Sequence, residues 1–425
     1  MVKNRRYSPW LWIPTLFMAE EIPSAVVMFV ALLMFLQFGA DETMAAVYSG
    51  LLFLPGVLKS YFYTKVRKAE TFKWRIHTVE VLICVCLMGV ALYLIHCSVR
   101  PWGLFLWFFV LSVLCSWHEL LSRRYYSSML TPREQSYYGT AKMVSSQMSL
   151  AVTYGLLIIV AGFFEVFFRS YKKAWAMESS LVAGSFLLFC VLNAVLLQNP
   201  QRCHRYRYES FSVAVKNELH VIDRIRHKPH VLPVILSLFF LLLPQALMFN
   251  TRVFFLLAGV AEGGLDCSVQ DVGFAQGTIG VIAFSVGLGV GRSLVARYGM
   301  EKLFVWLSGA LTLSPLFYML MALSPQLDNL WLLCMVTFSA QLCFGLGLNV
   351  CGVFVRYISG GRYHTTLNYL YVPLVAGAML VPLMLSGWLC AQLGYRLYFT
   401  LTALMAPVAW LVAWACSIRK ILIGK

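Results

Sequence analysis

The stretch Phe17-Met18-Ala19-Glu20-Glu21-Ile22-Pro23 lies inside an otherwise apolar segment that runs from about Trp10 to Phe38. A segment of that length crosses a bilayer, because a spanning helix needs about 20 residues. Counting inward from Trp10 puts Glu20 and Glu21 near the midplane. Ionised carboxylates there cost at least ~2.5–3.5 kcal/mol each and normally face a bundle interior or an aqueous cavity. Pro23 removes a backbone donor directly after them and invites a bend. Two acids and a kink at mid-membrane point to a solvated path through a helix bundle; the plainer alternative is a pair of acids held protonated or ion-paired for packing.

The rest of the chain has the same character. Of 425 residues, 60% are hydrophobic and 12% charged, about half the charged fraction of a soluble chain. Several apolar runs are continuous rather than alternating, which predicts an all-α integral membrane protein and argues against a β-barrel. The basic start MVKNRRYSPW precedes a long span with no small-residue cleavage site and reads as a retained first helix. A net charge of +16 would point to nucleic acid in a soluble protein, but here it has a topological cause: Lys and Arg gather on cytoplasmic loops.

Twelve spans are expected, at about 10–38, 43–64, 75–96, 101–122, 135–163, 175–198, 231–258, 270–296, 302–324, 328–355, 363–392 and 396–418. They divide into a six-helix bundle over 1–198, a basic linker over 199–230 and a second six-helix bundle over 231–425. With both termini inside, the outer segments hold only Arg100, Arg169, Lys172, Lys173 and Arg396, so the charge bias fixes the orientation. The linker carries Arg202, Arg205, Arg207, Lys216, Arg224, Arg226 and Lys228. It reads as an orientation signal, with anionic lipid head groups as a second reading.

Ionisable groups at membrane depth are candidates for function by default. Lys59, after Pro55-Gly56 in span 2, is a candidate partner for Glu20 or Glu21, and the three form the candidate proton-coupling set. Glu119 precedes Arg123 by four residues, the favourable same-face spacing. With His118 and Arg124 they form a charged cluster read as a gate, with Arg297 its counterpart after span 8. Glu80 reads as interfacial. Arg252 near the outer end of span 7, with Asn250 and Gln245, could receive an anionic solute. Gln341 and Asn349 on span 10, and Asn368 and Tyr371 on span 11, add amides and an aromatic face suited to sugar or peptide groups, although such residues also bridge helices. No Walker A, HExxH, GxSxG or Asp-rich metal motif occurs, so no enzyme activity, cofactor or metal is expected.

Two six-span halves around a cytoplasmic loop describe the major facilitator architecture, whose substrate site lies near the midplane. Thr64-Lys65-Val66-Arg67-Lys68 after span 2 and Arg297-Tyr298-Gly299-Met300-Glu301-Lys302 after span 8 resemble that superfamily's gating motif, though the first copy lacks its Asp and Gly. Within the superfamily, the chain resembles the AmpG-type muropeptide permease family. Met18-Ala19-Glu20-Glu21-Ile22-Pro23 is similar to the family's F-A-S-G-L-P, and Leu54 to Phe62 is similar to its P-x-x-L-K-F-L-W. Leu130-Thr131-Pro132-Arg133-Glu134-Gln135 resembles its L-x-P-x-E-R turn, Val272-Gly273 through Gly280 its V-G-x-x-x-x-x-x-G, and Ser386-Gly387-Trp388-Leu389 with Leu393-Gly394-Tyr395 its S-G-W-L and L-G-W.

The departures are specific. Glu119 and Arg123 stand where the family has two aspartates, Gln245 stands where it has another, and Glu20 and Glu21 replace small residues. The resemblance implies a secondary active transporter of a bacterial inner membrane, monomeric and surrounded by lipid, importing anhydromuropeptide-like sugar-peptides with protons. The alternatives are a permease for another anionic solute, siderophore-like or acyl-CoA-like, and a membrane sensor or scaffold that keeps the fold without transport.

Overall fold

In a bilayer every backbone N–H and C=O must be paired inside its own segment, so apolar runs of this length become helices. The computed structural model describes residues 7–62, 72–199, 230–324, 329–359 and 371–415. Among them are α1 (Pro9–Gln37), α2 (Glu42–Phe62), α3 (Phe72–His96), α4 (Pro101–Met129), α5 (Pro132–Phe168), α6 (Tyr171–Leu196), α7 (Val231–Leu257), α8 (Val269–Tyr298), α9 (Met300–Leu323) and α10 (Leu330–Leu348). A final helical stretch, Tyr371–Ala415, is broken at Gly394 (φ 72°, ψ 157°) into α11 before it and α12 after it. The protein is an all-α, multi-pass membrane protein with twelve long helices among its described residues. The Thr64–Lys68 turn and nearly all of the 199–230 linker lie outside those residues.

Local chemistry sets the helix ends. Ser8 caps α1, with Pro9 in the first turn, where a missing N–H costs nothing. The turn before α5 is a capping box: the Thr131 hydroxyl accepts from Glu134 N, and the Glu134 carboxylate accepts from Thr131 N at 2.9 Å. Pro132 opens that helix, so the Thr-Pro-x-Glu pattern is a helix start written in sequence. Ser268 and Asp271 build the same box at the start of α8. Gly394 separates α11 from α12 because its positive φ is a conformation that side chains disfavour.

The helices form two compact units, one of α1, α3, α4, α5 and α6, the other of α2 and α7 to α12. The sequence division assigns span 2 to the first half, whereas the contacts of α2 place it in the second unit. Gly387 on α11 sits so close to the Glu42 carbonyl of α2 that a Cβ would overlap it, and Gly50 meets Met384 in the same way. Outward faces stay apolar, as bilayer helices require. On α3, Val81, Leu82, Val85, Met88, Leu92 and Ile95 are exposed, while Ile76, Ile83, Leu87, Val90 and Leu94 are buried.

Helices α8 and α10 cross through glycine on both sides. A Cβ at Gly287 would overlap the Leu342 carbonyl, and one at Gly345 would overlap the Phe284 carbonyl, so the backbones touch where side chains would hold them apart. Gly289 has nothing within 4 Å of an added Cβ. Gly345→Val should therefore destabilise the fold by about 1–3 kcal/mol, while Gly289→Val is near neutral. Size-exclusion chromatography after graded heating checks both, and equal behaviour of the two variants would contradict the crossing.

Candidate functional site

The polar centre of the first unit is built on α1. Pro23 cannot donate to the Ala19 carbonyl, and the turn that follows widens into a π segment over Val26–Val30. Such segments often occur at functional sites. Just before this irregularity, Glu20 is buried and Glu21 half-buried.

Glu20 faces α4. Arg123 Nε lies 3.6 Å from Glu20 Oε1, and Arg123 Nη2 lies 2.6 Å from Glu119 Oε1. One guanidinium thus spans two carboxylates, which its planar fork suits better than a lysine ammonium would. The other Glu20 oxygen, Oε2, is buried and accepts no hydrogen bond among the described residues. Lys142 comes from α5, its ammonium 4.5 Å from the centre of the Phe17 ring and 5.3 Å from that of Tyr126. Its charge acts on the same acids. Three carboxylates and two cations from α1, α4 and α5 therefore share one neighbourhood. The arrangement can hold a proton on an acid and can exchange that proton for a guanidinium contact.

The residues expected as a gate and those expected as a proton site meet here, since Glu119, Arg123 and Glu20 form one cluster. Within the first unit the ionic partner of Glu20 is Arg123; Lys59 is buried on α2, in the second unit. Arg297 is exposed at the end of α8, 5.4 Å from the Tyr298 ring.

A second polar centre in this unit was not legible as such. Glu80, read from sequence as interfacial, is fully buried. Its Oε2 accepts from His77 Nδ1 at 3.1 Å, and its Oε1 accepts from His118 Nε2 at 3.3 Å and from Asn193 Nδ2 at 2.6 Å. Ser122 Oγ lies 3.4 Å from His118 Nδ1. Ser122, His118 and Glu80, all buried, link α4 to α3. His118 thus points about 100° away from Glu119 around α4 and joins a different contact. Glu178 on α6, also missed, is buried with one oxygen unpartnered.

In the second unit the polar residues are mostly neutral. Asn250 accepts from the Ser49 hydroxyl of α2 at 3.2 Å. Gln276 donates to Tyr318 at 2.7 Å and to Thr337 at 3.3 Å. Gln245 donates to the Leu311 carbonyl, and Asn349 donates to the carbonyls of Leu288, Gly345 and Leu346. The amide N–H groups of Gln245 and Asn349 thus donate to helix carbonyls. Gln341 is buried. Arg252 is half-buried, 5.2 Å from the Phe249 ring. Asn368 and the Tyr371 side chain lie outside the described residues.

No family model and no curated protein matches the chain. Solved structures do match. The nucleoside transporter NupG is 14% identical, with a TM-score of 0.66 over 98% of this chain and 99% of that one. A D-xylose-proton symporter is 14% identical, with a TM-score of 0.65 over 95% and 96%. A POT family transporter in complex with a thioalcohol-conjugated peptide is 11% identical, with a TM-score of 0.67 over 97% and 96%. The chain shares its fold with these transporters over nearly its whole length.

Replacing Arg123 strands the acids it spans. Arg123→Gln should destabilise the protein by about 1–3 kcal/mol, and adding Glu20→Gln should restore part of the loss. Unfolding of the single and double variants in detergent measures that coupling, and strictly additive effects would show that the pair contributes nothing.

Proposed function

We propose that the protein is a proton-coupled secondary transporter of a bacterial inner membrane, working by alternating access with Glu20 as its proton-carrying group and Glu21 beside it. The observation that carries this reading is the buried Glu20 carboxyl, with one oxygen at Arg123 and the other without a hydrogen bond among the described residues. In its charged form Glu20 holds Arg123 in competition with Glu119. A proton on Oε2 removes that charge, leaves Arg123 to Glu119 and lowers the cost of moving α1 against α4. A proton thereby changes which helices are tied together, which is what coupling requires.

The solute is an anhydromuropeptide-like sugar-peptide imported from the outer side, with Arg252 attracting its anionic groups. The motif resemblance supports this choice. It is also in keeping with the fold neighbours, which include a D-xylose-proton symporter and a transporter holding a conjugated peptide. The protein acts as a monomer among lipids, without a resident cofactor, and with both termini in the cytoplasm.

Uptake of labelled anhydromuropeptide into proteoliposomes, with and without an inward proton gradient, tests the mechanism. Glu20→Gln should abolish accumulation against a gradient while retaining exchange of labelled for unlabelled solute. Accumulation at the normal level in both Glu20→Gln and Glu21→Gln would make these acids structural. Reporter fusions test the orientation: one after residue 215 should report cytoplasm and one near residue 265 the outside, and the reverse pattern would overturn it.

A further inference from the structure

The helix α4 carries two polar stripes of identical spacing. His118 and Ser122 lie four residues apart on one, and Glu119 and Arg123 lie four residues apart on the other, about 100° further round the helix. The first stripe is tied to α3, and through Glu80 to α6, by the His118–Glu80 contact at 3.3 Å and the Asn193–Glu80 contact at 2.6 Å. The second stripe reaches α1 through Arg123. The described groups acting on Glu80 are His77 on its own helix, His118 on α4, and Asn193 and Cys190 on α6. Those acting on Glu20 are Glu21 on its own helix, Glu119 and Arg123 on α4, and Lys142 on α5.

From these two stripes we infer that His118 is a positioning residue for the Glu20 site: its bond to Glu80 sets the rotation of α4 about its axis, and hence where Arg123 stands relative to Glu20. The inference rests on the reading of Glu20 as the proton-carrying group. Apolar packing fixes α4 along its length, and the His118–Glu80 bond adds a directional contact one residue from the Glu119–Arg123 stripe. A rotation of about 20° displaces an atom 6–7 Å from a helix axis by about 2 Å, enough to separate a pair held at van der Waals range.

The bonding is consistent with one neutral tautomer. His118 Nε2–H donates to Glu80, and its Nδ1 lone pair accepts from the Ser122 hydroxyl. Both ring nitrogens are then used, and the ring orientation is fixed. His77 and Asn193 also satisfy Glu80, but neither lies on α4. The carboxylate therefore stays anchored whatever α4 does, and His118 alone among these donors transmits its position to Arg123.

The test is infrared titration of the purified protein in lipid vesicles, following the protonated-carboxyl band that Glu20→Gln removes. His118→Ala should move the pH midpoint of that band by about one unit. His118→Gln, whose amide can donate from the position of Nε2, should return it towards that of the unaltered protein. Asn193→Ala, which takes a donor from Glu80 without touching α4, should leave it in place. A His118→Ala midpoint equal to that of the unaltered protein overturns the inference and leaves the role of Glu20 standing. Should His118→Ala fail to fold, Ser122→Ala takes its place, and an unmoved midpoint in that variant is equally decisive against the inference. A titration with no Glu20-dependent band removes the proton site itself, and this inference with it.

Discussion

A carboxylate at the depth of Glu20 can stay in a helix bundle only if something there replaces its hydration. At an effective dielectric of about 20, a unit charge roughly 4 Å away contributes about 4 kcal/mol, comparable to the insertion cost of the acid. Arg123 stands at that range. Because Arg123 comes from α4 and Lys142 from α5, α1 can carry its acids only when both helices are packed against it. The arrangement of the first unit follows from that requirement, and so does its capacity to respond to a proton. A fully satisfied carboxylate would be inert, whereas Glu20 keeps one oxygen without a hydrogen bond among the described residues.

Glu80 shows the opposite solution in the same unit. Three N–H donors surround it, two of them from histidine rings and one from an amide. A buried anion so completely bonded behaves as a structural joint. The contrast between a partly bonded acid and a fully bonded one, met by two different stripes of α4, separates the group suited to change from the group suited to hold. The second unit is chemically different. Apart from Lys59 and Arg252, its polar interior described above is made of amides and hydroxyls, and these cross-link helices or lie beside neutral partners. Neutral hydrogen bonds dominate the contacts of the second unit given above.

The family-like motifs have a physical meaning that limits what they can report. The Thr131-Pro132-x-Glu134 turn is a helix cap, Leu393-Gly394-Tyr395 marks the break between α11 and α12, and Gly387 lets α11 approach the α2 backbone. Each specifies backbone geometry. Such motifs carry a fold across great sequence distance, which agrees with full-length structural matches at 11–14% identity. They say much less about a solute, because solute contacts depend on the residues that vary around them.

By itself the sequence determined the helical, multi-pass class and several of the places where helices start and stop, because bilayer solvation and capping act on contiguous residues. It also determined that Glu20, Glu21, Glu119 and Arg123 merit attention, since charge in an apolar run is visible without a structure. Only the tertiary structure decided the partners. Arg123 is far from Glu20 in the chain, and nothing in the sequence spacing says that the two meet. Glu80 lies near the end of an apolar run and looks interfacial until His118 and Asn193 close over it from helices 38 and 113 residues away. That the amides of Asn349 and Gln245 donate to carbonyls of neighbouring helices is likewise visible only in the structure. Pairing across helices depends on rotation and depth within the bundle, and both are set by packing that no single helix encodes.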